Sequence, residues 1–239
     1  MLKSDKWIKK QSRPVHLAED GLQLLNEYGT EVMINPFIPN QVRGIKRKDV
    51  WQLSQLIPFS QGRFDFNEPG DDDELKLISY GVSSYGYDCR LSVQELQIFS
   101  PLYHEGVLDP LKFNAKSLIN VELATNDDEI PYFMLPAHHY GLGITLETFH
   151  IPKKVTALAI AKSTYARLGL MLNITPMETM WNGRLVVEFY NAANLPIRIY
   201  PNQGFFQALF FESDEECDVS YADRQGKYQG QENIVHAKV

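Results

Sequence analysis

The second half of the chain repeats one pattern: a short run rich in β-branched and aromatic residues, then Pro, Gly or Asn. The runs are "YDCRLSV" (87–93), "YFMLP" (132–136), "GLGITLETFHIP" (141–152), "VTALAIA" (155–161), "RLVVEFYN" (184–191) and "FFQALFFES" (205–213). Short strands punctuated this regularly pack as antiparallel sheets, so a barrel or sandwich is predicted and a βαβ fold is not. Neither GxGxxG nor GxxxxGK[ST] occurs, which leaves the usual phosphate-cradling nucleotide folds unsupported. With 239 residues, 44% hydrophobic and 22% charged, the chain is long enough for one large β domain, the reading adopted for 1–239.

The first 76 residues read as a distinct N-terminal segment. "KSDKWIKK" (3–10) predicts a short helix, with Ser4 or Asp5 accepting from its first amides. A second helix is expected within "IKRKDVWQLSQLI" (45–57), where Ile45, Val50, Leu53 and Ile57 recur near helical spacing. "FSQGRFDFNEPGDDDELK" (59–76) mixes Gly, Pro and an acidic run and reads as a solvated loop. No internal repeat is visible.

A net charge of −7 argues against broad binding to nucleic acid or acidic membranes, so an anionic ligand needs a local basic cluster. Two cysteines, Cys89 and Cys217, make no disulfide framework and fit a reducing compartment. The start "MLKSDKWIKKQ" has no apolar stretch of signal-peptide length, and no run nears the ~20 apolar residues of a membrane span. A soluble, cytoplasmic protein is expected.

One cluster answers the need for local cations. Where "VTALAIA" ends, "KSTYARLGL" (162–170) sets Lys162, Ser163, Thr164, Tyr165, Ala166 and Arg167 ahead of Gly169. Ser163 or Thr164 can cap a short helical turn that Gly169 ends, and Ser163 and Arg167, four apart, then share a face. A hydroxyl, a guanidinium and free amides converging there suit phosphate oxygens or an activated water. A capped surface turn with solvated cations would use the same residues.

In "GRLVVEFYN" a period of two puts Leu185, Val187 and Phe189 on one face and Val186, Glu188 and Tyr190 on the other. Glu188 is then either solvated, or desolvated with a raised pKa and poised as a general base. Gln207 shares its strand face with Phe205, Leu209 and Phe211, and there it holds structure, reads a base edge or binds phosphate. The tail "SYADRQGKYQGQEN" (220–233) is polar yet carries Tyr221, Lys227, Tyr228 and Gln231, the ingredients of a frayed end or of a lid.

Zinc deaminases of nucleobases carry H-x-E and a later P-C-x-x-C, and neither occurs here. The six histidines (His16, His104, His138, His139, His150, His236) show no ligand spacing, and "HHY" (138–140) reads as turn decoration. No protein-bound metal is expected.

Taken together, the stretches resemble the dCTP deaminase family, a branch of the trimeric dUTPase-like superfamily. The strings that carry the resemblance are "KSDKWI" (3–8), "NPFIPNQVR" (35–43), "SYGVSSYGYDCRLS" (79–92), "KSTYARLGL" (162–170), "NITPMETMWNGRLVVEFYN" (173–191) and "LPIRIYPNQGFFQALFFESDEECDVSYADRQGKYQGQ" (195–231). They cover most of 77–231. The chain departs from the pattern at Thr179, Met180 and Asn182, in "GLGITLE", and at about 17–34 and 46–76, which look like expanded connections.

The resemblance implies a distorted jelly-roll β-barrel with a few short helices, assembled as a homotrimer whose active sites are shared between subunits. It implies hydrolysis of dCTP to dUTP and ammonia, supplying dUTP for dUMP and thymidylate synthesis, with Mg2+ carried on the triphosphate and no zinc. Glu188 matches the proton donor and acceptor, and Ser163 and Arg167 match the groups lining the water and substrate. Lys162 to Arg167, Val186, Val187, Glu188, Gln207, Tyr221, Lys227 and Gln231 match nucleotide-binding positions. The tail 214–239 is expected to close over the nucleotide, and dTTP is an expected inhibitor. Relatives on this scaffold include bifunctional enzymes that carry dCTP to dUMP and pyrophosphate. A catalytically silent nucleotide-binding trimer is the reading from another class.

Overall fold

The computed structural model describes residues 1–18, 23–46, 74–102, 107–127 and 130–238. In chain order these give α1 (Asp5–Ser12), β1 (His16–Leu17), β2 (Leu24–Leu25), β3 (Ile34–Asn35), β4 (Val42–Lys46), β5 (Glu74–Ser83) and β6 (Gly86–Phe99). There follow β7 (Leu118–Asn120), β8 (Leu123–Thr125), β9 (Pro131–Leu135), β10 (Tyr140–His150), β11 (Val155–Ala161), α2 (Ser163–Ala166), β12 (Leu170–Leu172), β13 (Asn182–Asn191), β14 (Ile197–Ile199) and β15 (Gly204–Glu212). The expected mainly β chain with few short helices is what the structure shows.

β6 organises the molecule. Its first half lies between β5 and β15, where Asp88 faces both Gly81 and Gln207. Its second half lies between β7 and β10, where Gln97 faces both Asn120 and Leu142. Two antiparallel sheets therefore share one strand: β11-β15-β6-β5 and β12-β13-β10-β6-β7. Alternation fills the space between them with Tyr87, Cys89 and Leu91 of β6, Phe149 of β10, Val187 and Phe189 of β13, and Phe206 and Phe210 of β15, all buried. Gly141 is needed where β10 passes Phe189, because a Cβ there would lie 2.5 Å from the ring.

The N-terminal segment differs from the sequence expectation in three places. Ser4 sits at the helix start, but its side chain caps nothing; the Asp5 amide instead donates to Ser84 O at 2.9 Å. Ile45, the proposed start of a second helix, lies in β4, paired with Leu75 of β5; Val50, Leu53 and Ile57 lie outside the described residues. Of the stretch read as a loop, Glu74 to Lys76 belong to β5, and 59–73 lie outside the described residues. Helix α1 itself is present and buries Ile8 beneath the sheet, with Trp7 6.4 Å from Phe210.

Candidate active site

Glu188 lies mid-strand in β13, opposite Leu142 of β10. Its odd-numbered neighbours Val187 and Phe189 face the core, so the carboxylate emerges on the opposite, half-buried face with Val186 and Tyr190. Burial pushes the carboxyl up to about 7, opposed only by a hydrogen bond from its own backbone amide. No ion pair among the described residues reaches it. Close by, Asn173 donates through Nδ2 to the Tyr140 hydroxyl at 2.9 Å and through its backbone amide to Glu188 O at 2.9 Å. Gln97, one strand further across the same sheet, receives His236 of the tail at 2.8 Å.

The cation-bearing turn has the predicted helical turn and glycine stop but not the predicted cap: Lys162 stands at the cap position, no side chain caps the first amides, and Ser163 and Thr164 lie within the helix itself. β11 ends at Ala161, α2 makes a single turn, and Gly169 at φ +87° sends the chain back into β12. Tyr165 is the buried anchor: its ring packs 5.1 Å from Phe205 and its hydroxyl accepts from the Tyr200 amide at 2.9 Å. Anchoring one residue leaves Ser163, Thr164, Ala166 and Arg167 exposed around it. The Arg167 guanidinium curls back and donates to the Ser163 backbone carbonyl at 3.0 Å, which holds it against the exposed turn.

Lys162 points elsewhere. Its ammonium turns inward to Asp88 Oδ2 at 2.7 Å, and the pair is almost entirely buried. Gln207 joins the same group, donating through Nε2 to Ser83 Oγ at 2.9 Å and Asp88 Oδ1 at 3.3 Å, while Gln41 donates to Asp88 Oδ2 at 2.9 Å. The alternation reading of β15 holds, with Phe206, Ala208 and Phe210 in the core and Gln207, Leu209 and Phe211 on the half-buried face; Phe205 is buried as well, under Tyr165 and Phe189.

The tail is hydrogen-bonded onto the turn 178–184. Trp181 Nε1 donates to Tyr228 O at 2.9 Å, the Tyr228 amide to the Tyr221 hydroxyl at 3.0 Å, and the Arg184 amide to Gln231 O at 2.8 Å. Arg224 pairs with Glu178 and lies over the Tyr221 ring. Lys227 donates to Lys238 O at 2.7 Å. Gln231 is buried beside Gly183, and its Oε1 has no partner among the described residues; it lines a cavity of about 320 Å3 with Asn182, Arg184 and Thr148.

Within one chain these groups fall into four places, one of them the buried group of Lys162 and Gln207 at Asp88. Val186, Val187 and Glu188 lie on β13, the exposed turn follows β11, and Tyr221, Lys227 and Gln231 lie in the tail. No hydrogen bond or ion pair among the described residues joins Glu188 to Ser163 or Arg167. Sequence reasoning passed over Asp88, Gln41 and Ser83, and also Tyr140 and Asn173. The one available signal was Asp88 itself, an acid within the strand-like run "GYDCRL". His138 and His139 do sit in a turn, bonded to Asn194 and Ala137 O. Cys89 is buried and Cys217 exposed, and neither is in a disulfide. No helix among the described residues is long and apolar enough to cross a membrane.

A β-sheet enzyme scaffold with a desolvated acid and an anion-ready turn is the class this geometry defines, and the comparisons specify it. A family model described as dCTP deaminase-like matches residues 71–213. The dCTP deaminase of Pseudomonas paraeruginosa (strain PA7) is 38% identical over 237 residues, 99% of this chain and 98% of its own. That of Acinetobacter baumannii (strain AYE) is also 38% identical over 237 residues, with the same coverage. That of Pseudomonas fluorescens (strain Pf0-1) is 37% identical over 234 residues, 98% of this chain and 97% of its own. The chain belongs to the dCTP deaminase-like family.

Proposed function

We propose that this protein hydrolyses dCTP, taken as its magnesium complex, to dUTP and ammonia. The observation that carries the reading is Glu188: a carboxyl with no ion-pair partner among the described residues, held on a half-buried strand face with its pKa near 7. A group titrating there can both take and give a proton at physiological pH, which general acid–base catalysis requires.

In the proposed reaction Glu188, ionised, takes a proton from water as the oxygen attacks C4 of the cytosine ring. It hands that proton to N3, giving a neutral tetrahedral centre. A second proton, from the new C4 hydroxyl, passes through the same carboxyl to the amino group; the C4–N bond breaks, ammonia leaves and the C4 carbonyl of dUTP remains. The Ser163 hydroxyl orients the water, and Arg167 and the free amides of α2 stabilise negative charge. These chain groups do the work without a zinc ion. The triphosphate falls to backbone amides, Gln207 and the tail residues Tyr221, Lys227 and Gln231. Tail closure excludes water, which strengthens each of these interactions.

The site is proposed to be shared between subunits of a homotrimer. Two observations support this: no hydrogen bond or ion pair among the described residues joins Ser163 or Arg167 to Glu188, and the exposed apolar side chains Leu158, Ile160, Leu168 and Met171 flank α2. A cytoplasmic site of action fits the two unpaired cysteines.

The test is product analysis with dCTP and Mg2+, by nucleotide chromatography and an ammonia assay, in chelator-treated and zinc-supplemented samples. Accumulating dUTP with equal ammonia, indifferent to zinc, is expected. Appearance of dUMP and pyrophosphate would make the enzyme bifunctional, and tight binding without product would make it a silent regulatory trimer. The same assay with dTTP added reads the expected inhibition.

A further inference from the structure

The half-buried face that carries Glu188 also carries a phenol. Tyr140 opens β10 opposite Tyr190, and Leu142, further along the strand, is opposite Glu188. The four side chains therefore stand on one face, with Tyr140 as the diagonal neighbour of Glu188. Diagonal partners in an antiparallel pair lie within reach of aromatic and long side chains. On the side away from β13 the Tyr140 ring packs against Phe99 of β6, with ring centroids 6.1 Å apart.

Asn173 fastens the phenol to the strand of the acid. Its Nδ2 donates to the Tyr140 hydroxyl at 2.9 Å and its backbone amide donates to the Glu188 carbonyl at 2.9 Å, so one residue holds both. The direction of the first bond matters. The phenol oxygen accepts from the amide, and its own O–H donates to no group among the described residues. A hydroxyl that accepts from one neighbour becomes a stronger donor to the next. The phenol also stays protonated: burial raises its pKa, as does the charge of ionised Glu188, against the bond from Asn173.

An ionised carboxylate beside a spare O–H donor is complementary to one molecule of water, since the first accepts its proton and the second donates to its oxygen. We propose that Tyr140 is a further catalytic residue of this face, whose hydroxyl donates to the reacting oxygen, first in the attacking water and then at C4 of the tetrahedral centre. The phenol keeps its own proton throughout. Its hydrogen bond orients the water, and strengthens as the C4 hydroxyl gives up its proton and negative charge grows on that oxygen. Asn173 is a positioning residue that acts through the phenol. The inference rests on the proposed hydrolysis of dCTP and gives the reacting oxygen a second donor besides the Ser163 hydroxyl.

Tyr140→Phe removes the hydroxyl and keeps the ring against Phe99. It is expected to lower kcat for ammonia release about 100-fold, the cost of losing one donor to a developing oxyanion, with calorimetric dCTP affinity within about twofold and the melting temperature unchanged. Asn173→Ala leaves the phenol in place but unheld; it should lower kcat about fivefold in the native background and have no further effect in Tyr140→Phe. Native kcat in Tyr140→Phe would overturn the inference, and an equal effect of Asn173→Ala in both backgrounds would overturn the link through Asn173. A kcat/KM profile that keeps its native plateau in Tyr140→Phe and only moves along the pH axis also overturns it, because the phenol would then merely tune Glu188.

Wild-type turnover is read first, and it alone decides the functional reading. The geometry is tested without turnover by NMR of tyrosines isotope-labelled at Cζ. The resonance that Tyr140→Phe removes should shift with a midpoint at pH about 7 and lose that shift in Glu188→Gln. A resonance that stays flat through that range would overturn the inference in active and inactive protein alike.

Discussion

Two acids stand inside adjacent apolar strands, Glu147 on β10 and Glu188 on β13, and burial raises the pKa of both. Their surroundings differ. Glu147 is fully buried and meets Arg90 twice, through the backbone amide at 2.9 Å and the guanidinium at 2.7 Å, which pulls its carboxyl back down. Glu188 is half-buried and has no such partner among the described residues. A buried acid with a partner is committed to holding two strands together. One without a partner remains free to move protons, and partner count more than burial separates the structural acid from the chemical one.

The comparison can be broken in several ways, and the largest effect should be on turnover. Glu188→Gln is expected to lower kcat on the order of 10³-fold, since it removes proton transfer, while dCTP affinity changes little. A variant releasing ammonia at near the native rate would remove Glu188 from the mechanism. The matching change Glu147→Gln strands a buried guanidinium and should cost about 3–5 kcal/mol of stability, read by denaturant unfolding. If Glu147→Gln proved as stable as the parent, the structural half of the comparison would fail.

pH sharpens the contrast. The folded carboxyl of Glu188 titrates near 7 and the unfolded one near 4.5, so between those values the folded state binds more protons and stability falls as pH rises. Glu188→Gln cannot ionise. It is therefore expected to be more stable than the parent above pH 7, by at most about 3 kcal/mol, with the gain vanishing towards pH 4.5. Thermal melts across that range read it directly; a gain independent of pH would mean that the acid is solvated. The base must be ionised to act, so kcat/KM should fall tenfold per unit below about pH 7.

Smaller effects test the periphery. Removing the tail after Ser220 should weaken dCTP binding about tenfold, roughly 1.4 kcal/mol, by taking away Tyr221 and Gln231; unchanged calorimetric affinity would show that the tail plays no part in binding. Arg224→Ala breaks an exposed ion pair with Glu178 and should shift stability by no more than about 0.5 kcal/mol.

What the sequence made legible follows from what is local. "VTALAIA" is β11 residue for residue, and the faces of β13 and β15 came from a period of two, because an alternating strand carries its burial pattern in its own letters. The turn at 162–169 was legible because glycine termination acts within a few residues, although the cap expected from Ser163 or Thr164 does not form. Asp88 was not, since its meaning depends on Lys162 and Gln207, 74 and 119 residues away. The Arg90–Glu147 pair was hidden for the same reason. Ile45 read as helical because a few apolar residues fit more than one period, and pairing with β5 decided in favour of strand.

The strand shared by the two sheets has a dynamic consequence. Between Tyr87 and Ile98, β6 exchanges hydrogen bonds with β5 and β15 at one end and with β7 and β10 at the other. Neither sheet can open along this strand without exposing the core they enclose together, so its interior amides lack a route to solvent through local fraying. In native-state hydrogen exchange the amides of β6 should be the slowest in the molecule and should report its global unfolding free energy, whereas those of the tail open independently.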